Sequence, residues 1–217
     1  MVARKDNGTG IVGVAPDAKL IALKACWPDQ ADSIEAVCNS FTLALAVNAA
    51  IKSGVNILNM SLTGPYDPLL ELLLNKAMEK GIIVVAADTG LDSDNERFPA
   101  SLKNVISVQT SKQPDPHHIT LAQLISAPGD KVLTTLPHGT YDFISGSSIA
   151  AAEVSGIIAL LLEIKPDLTL AEIRLILQES ELSPKDGSIS GINAKIAVWT
   201  LCETTTCPQE AISFVWK

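Results

Sequence analysis

Residues 144–156 (Ile-Ser-Gly-Ser-Ser-Ile-Ala-Ala-Ala-Glu-Val-Ser-Gly) place Ser147 and Ser148 between a glycine and an alanine-rich helical pattern. A serine in the first turn of a helix lies near backbone N–H groups that have no intrahelical acceptor, at the positive end of the helix dipole. That environment stabilises an oxyanion. Serine is also a common helix N-cap, where its hydroxyl only satisfies the backbone. The local pattern leaves both readings open.

Two other residue types carry chemistry. The histidines, His117, His118 and His138, all fall in a proline-rich middle stretch. His138 stands ten residues before Ser148 and reads most simply as a loop residue, because a general base needs hydrogen-bond geometry and not proximity in sequence. The cysteines form two close pairs, Cys26/Cys38 and Cys202/Cys207, without a Cys-x-x-Cys spacing, so no zinc site is expected. Either pair can form a disulfide, or all four can remain reduced. A disulfide would imply an oxidising compartment.

The elements that must position these residues follow from patterning. Ala18 to Lys24 reads as a strand, and residues 26–30 as a loop. A helical pattern with Ile34, Val37, Cys38, Phe41, Leu45 and Ile51 on one face follows, capped by Asp32 with Glu35 or by Ser40, and ending at Gly54. Val55 to Leu62 is the next strand. Asp67-Pro68 is an N-cap followed by proline at the first helical position, and Leu69, Leu70, Leu73, Leu74, Ala77 and Met78 form the buried stripe. Ile82 to Ala87 is continuously apolar, as in a central parallel strand covered on both faces. Val105 to Val108 is a further strand, and short, partly antiparallel strands are expected near Thr120–Ser126 and Lys131–Thr135. A helix runs from Ser148 to about Lys165, Thr169 with Glu172 forms a capping box, and a last helix covers Asn193 to Leu201. Phe214, Val215 and Trp216 in the tail are candidates to dock on the body. Alternating strands and helices imply an α/β fold, an open, mostly parallel sheet with helices on both faces and a site at the strand carboxyl ends.

Composition agrees. The 217 residues are 47% hydrophobic and 4% aromatic, which suits one packed α/β domain with a short appendage. A net charge of −8 argues against a nucleic-acid or anionic-membrane surface. No apolar run long enough to span a bilayer is expected, and residues 1–8 have no signal-peptide pattern.

Four segments together resemble the subtilisin-like serine proteases. They are Asn7 to Leu20; Ile57 to Leu62; Phe98 to Ser101 with Asn104 to Val108; and Ser126 to Gly129 with Ser145 to Ala151. The resemblance covers about residues 7–200, implying a partial subtilisin-like peptidase domain at 1–201 and a tail at 202–217. It implies a three-layer fold truncated at its N-terminal side, with Ser148 at the nucleophile position and its backbone N–H as one oxyanion donor. Ser61, Leu62, Thr63 and Gly64 would bind an extended peptide by strand addition. It also implies that Cys26 and Cys38 bridge, which, together with an upstream signal in the native gene, would make the location periplasmic or extracellular. No cofactor or metal is implied: calcium is frequent in the family, but no dense carboxylate loop stands here.

The chain departs from the family pattern. The triad aspartate and histidine belong upstream of Asn7. Asp88-Thr89 stands where the family has Gly-Asn, leaving Thr89 as the substitute oxyanion donor and setting Asp88 unfavourably unless it points away. Ala152-Glu153 replaces a structural Pro-His pair. The expectation is a serine endopeptidase domain that is inactive as this chain, whose exposed sheet edge is covered by an N-terminal segment or another chain. Two alternatives are a non-catalytic relative that binds extended peptide in the former cleft and an unrelated α/β binding domain. An α/β-hydrolase is disfavoured, since Ala150 replaces the second glycine of Gly-x-Ser-x-Gly.

Overall fold

The computed structural model describes residues 1–3, 8, 10–28, 36–90, 96–111, 124–182 and 191–207. His117, His118 and the tail residues Phe214, Val215 and Trp216 lie outside them. The centre is a parallel four-stranded sheet. Its strands are β3 (Ile57–Met60), β4 (Ile83–Ala87), β5 (Ile106–Thr110) and β6 (Leu124–Ala127), in that spatial order. Every residue of β4 is buried. Ile83, Val85 and Ala87 enter one apolar cluster, and Val84 and Ala86 the other. The period of two thus feeds two cores, one on each face.

Helices close both faces. On one side lie α1 (Ser40–Ser53) and α2 (Pro68–Glu79); on the other lie α3 (Ser147–Ile164), α4 (Leu170–Glu179) and α5 (Ala194–Thr204). The result is the three-layer α/β architecture. Asp67 caps α2 by accepting the Leu69 and Leu70 N–H groups, with Pro68 at the first helical position. Thr169 and Glu172 form the full capping box of α4. With 18 residues and a mean hydropathy of 1.7, α3 is long and apolar enough, by length and composition alone, to cross a bilayer, contrary to expectation. Here that apolar surface packs on β3, β4, β5, β6 and α5.

Several local expectations are corrected. Residues 19–25 form no ladder, although their pattern suits a strand. A strand needs a hydrogen-bonded neighbour. Instead Cys26–Pro28, expected as a loop, is strand β1, paired antiparallel with β2 (Ala36–Cys38). Val37 and Cys38 therefore belong to a hairpin and not to a helix face. The cap of α1 is Asn39, whose Oδ1 accepts the Thr42 N–H at 2.9 Å, and not Ser40, while Asp32 and Glu35 lie outside the described residues. Leu69 is 48% exposed and leaves the α2 stripe to Leu70, Leu74 and Ala77. β6 is parallel to β5, while the antiparallel pair is β7 (Val132–Leu136) with β8 (Thr140–Ile144). Two further short strands, β9 (Glu181–Leu182) and β10 (Gly191–Ile192), pair with each other. Among the described residues β3 pairs with β4 alone, so its other edge is open.

Candidate active site

The β7–β8 ribbon delivers the chain to α3 through Ser145 and Gly146. Gly146 takes φ 156° and ψ 154°, a conformation that side chains rarely adopt. Its N–H bonds to the Gly129 carbonyl at 2.7 Å. A Cβ on Gly129 would meet the Gly146 oxygen at 2.9 Å, so the two backbones approach because position 129 is glycine. The Ser145 hydroxyl donates to Asp130 Oδ1 at 3.1 Å and accepts the Lys131 N–H at 2.9 Å, pinning the base of the ribbon.

Gly146 occupies the N-cap position of α3 and offers no side-chain cap bond. Ser148 is the second residue of the helix, exposed and not a cap. Its hydroxyl donates to the Ser61 carbonyl at 3.0 Å, across 87 residues of sequence. Ser61 returns the bond: its Oγ donates to the Ser148 carbonyl at 2.7 Å. The amide of Asn59, on β3, donates to Ser61 Oγ at 2.9 Å, and its Oδ1 accepts from Ser155 Oγ at 3.0 Å. Ser155 is fully buried on α3, two turns beyond Ser148. The carboxyl end of β3 and the first turns of α3 are therefore held together by side chains from both.

The rest of the expected peptide-binding segment is also anchored. Thr63 Oγ1 donates to the Glu96 carbonyl at 3.1 Å, and the Gly64 N–H donates to the Phe98 carbonyl at 2.9 Å in an isolated antiparallel bridge. Leu62 packs partly buried against the α1–α2 core. Thr89 sits exposed just past the carboxyl end of β4. Asp88 points into the protein: it is 2% exposed and its carboxylate accepts from Arg97 Nε, Arg97 Nη2, Ser107 Oγ and the Gly90 N–H. Burial pushes the Asp88 carboxyl up, but the Arg97, Gly90 and Ser107 donors and the Arg97 charge together hold it below its ordinary value. Arg97 thus compensates the charge that would disfavour an oxyanion here.

His138, the one histidine among the described residues, is exposed in a left-handed conformation (φ 62°) at the tip of the β7–β8 ribbon. β8 spans residues 140–144. At about 3.3 Å per residue, that puts roughly 13 Å of ribbon between the tip and Ile144. His138 is not brought to Ser148. Cys26 is bonded to Cys38, closing the β1–β2 hairpin, and Cys202 to Cys207 at the end of α5. The Asn59–Ser155 bond and the Asp88–Arg97 pair were not read from the sequence. The only signal was an aspartate ending a strand otherwise fully apolar.

Comparison with known proteins gives a concordant result. A family model described as the subtilase family matches residues 1–196. Subtilisin DY of Bacillus licheniformis is 32% identical over 182 residues, covering 80% of this chain and 64% of that protein. The major intracellular serine protease of Bacillus subtilis (strain 168) is 32% identical, covering 74% of this chain and 52% of that protein. The chain thus spans between about half and two thirds of these relatives. Among solved structures, the S218A mutant of the protease domain of PatA superposes with a TM-score of 0.68 at 26% identity, covering 92% of this chain and 77% of that one. Fervidolysin from Fervidobacterium pennivorans shares the fold, with a TM-score of 0.71 at 24% identity over 95% of this chain and 35% of that one.

Proposed function

We propose, on the premise that this chain belongs to the subtilase family, that it supplies the nucleophile and the peptide-binding cleft of a serine endopeptidase domain. The observation that carries this is the reciprocal bonding of Ser148 and Ser61. It puts the hydroxyl at the start of α3 against the segment that would bind substrate. In the completed site Ser148 Oγ bonds to the scissile carbonyl carbon while a histidine takes its proton, and the carbonyl electron pair moves onto oxygen. Ser148 precedes the first helical N–H donations, which Ile149 and Ala150 make to the Gly146 carbonyl, so its own N–H would receive that oxyanion. Collapse expels the amine, which takes the proton from the histidine. Water then repeats the sequence on the acyl-serine.

The base and its orienting aspartate come from a further polypeptide segment, of this protein or of another chain, that covers the open edge of β3. Val12, Leu20, Ile21, Phe41 and Leu45, all exposed, give such a segment apolar surface to bury. The chain alone therefore hydrolyses peptides very slowly or not at all. A fluorophosphonate probe tests this. Ser148 should stay unlabelled in the isolated chain and become labelled when a segment bearing the aspartate and histidine is added. Rapid labelling of the isolated chain overturns the inactive reading.

Asp88-Thr89, in place of Gly-Asn, favours a second reading: a non-catalytic relative that only binds extended peptide. In that case peptide binding persists after the segment is added and Ser148 remains unlabelled.

A further inference from the structure

The Asp88–Arg97 pair lies outside the chemistry described above, yet it is built with unusual completeness. Both residues are 2% exposed, and Ser107, which donates to the same carboxylate at 2.7 Å, is 1% exposed. The Asp88 backbone is fixed as well, its N–H bonding to the Val108 carbonyl of β5 at 2.7 Å. Arg97 approaches through two nitrogens, Nε on Oδ1 at 3.0 Å and Nη2 on Oδ2. Such a fork fixes direction as well as distance, which a lysine cannot do.

What Arg97 holds is decided by its neighbours. The carbonyl of Glu96 accepts from Thr63 Oγ1, and the carbonyl of Phe98 accepts the Gly64 N–H. Phe98 is 3% exposed and meets Tyr66 edge to face, with ring centroids 5.8 Å apart. The residues on either side of Arg97 are therefore the two attachment points of the Thr63-Gly64 segment. At the other end of that segment Ser61 bonds to Ser148. A continuous series of contacts runs from the end of β4, through the ion pair, to the peptide-binding segment and the serine.

We propose that Asp88 and Arg97 are positioning residues that lock the cleft segment Ser61–Gly64 in register with the carboxyl end of β4. The proposal rests on the reading of Ser61–Gly64 as the peptide-binding segment. Its physical content is separate: replacing both members of a buried ion pair by apolar residues of similar size is often neutral for stability, while the directional fork is lost. Stability and cleft geometry should then come apart.

The test compares the full chain with its Asp88→Leu/Arg97→Met double variant and with Asp88→Asn. Amide exchange is read at Gly64, relative to Val84 and Val85 in β4, and binding is read with a fluorescein-labelled hexapeptide of alanine and leucine. In whichever variant retains the β4 protection, Gly64 exchange should speed up at least tenfold, and the hexapeptide should bind at least tenfold more weakly than to the parent chain. Gly64 protection that is unchanged while β4 stays protected overturns the proposal, and so does loss of β4 protection in both variants, which would make the pair a support of the whole sheet. The exchange readout does not depend on peptide binding. If the parent chain binds no hexapeptide, the cleft reading fails while Gly64 still decides the role of the ion pair.

Discussion

Ser148 and Ser61 each donate a side-chain hydrogen bond to the other's backbone carbonyl, at 3.0 and 2.7 Å, although they stand 87 residues apart. Neither hydroxyl bonds to the other hydroxyl. Removing one side chain thus leaves the other side chain's acceptor in place. Ser148→Ala should cost about 1 kcal/mol of stability, the net worth of a typical hydrogen bond, and Ser61→Ala about 2 kcal/mol, because Ser61 Oγ also accepts from the Asn59 amide. Because neither substitution removes the other bond's acceptor, their costs should add to within about 0.5 kcal/mol in the double variant, unlike most residues in contact. Urea denaturation of the four species measures this. A coupling above about 1 kcal/mol would mean that the hydroxyls form one unit.

The Asp88–Arg97 pair predicts a pH dependence. The folded carboxyl is held below its ordinary value of 3.8, so its contribution to stability is complete above that pH. It is lost as pH falls through the depressed folded value. Asp88→Asn removes the carboxylate charge that the buried Arg97 guanidinium faces across the fork and should cost up to about 3 to 5 kcal/mol at pH 7. The difference between parent and variant should narrow only in strongly acidic solution, below about pH 4. Thermal unfolding from pH 2 to 7 checks the direction.

Elements whose signals are local were legible in the sequence: Asp67-Pro68 opening α2, Thr169 with Glu172 opening α4, and the unbroken apolar run of β4. Each rests on residues within one turn or one strand. Elements that depend on distant partners were not. Residues 19–25 carry the pattern of a strand, but a ladder needs a neighbour, and none of the described residues is paired to them. Cys26–Pro28 looks like a loop until Ala36–Cys38 folds back on it. In the site, the helix start drew attention to Ser147 and Ser148 locally, but only the four-segment resemblance singled out Ser148. Ser155 contacts Asn59 across 96 residues, and nothing near either residue announces the other. Arg97 reaches Asp88 across 9 positions of polar sequence that has no periodicity to read.

The two disulfides should differ in worth. Cys26–Cys38 closes a sequence separation of 12, and Cys202–Cys207 one of 5. In the chain-entropy account the longer loop restrains the unfolded chain more, giving about 3 kcal/mol against about 2 kcal/mol. The Cys26→Ser/Cys38→Ser variant should therefore lose more stability than Cys202→Ser/Cys207→Ser. Denaturant midpoints of the two variants under non-reducing conditions test the ranking.

Glu153 gives the opposite pH signature to Asp88. It lies half-buried on α3, and burial pushes its carboxyl up to about 6 from 4.5, against the pull of the Met1 amine. A raised folded value means that the protonated form is the one the fold accommodates. The associated stability is complete below pH 4.5 and is lost as pH rises through about 6. A shift of this size corresponds to at most ~2 kcal/mol, reduced by the solvent that still reaches the group. Glu153→Gln removes the ionised form altogether. It should leave stability unchanged at pH 4 and raise it by about 1 kcal/mol at pH 8, where the parent carries a poorly solvated carboxylate. Thermal melts of parent and variant at the two pH values decide it, and a variant less stable than the parent at pH 8 would show that the ionised carboxylate is instead held by the Met1 amine.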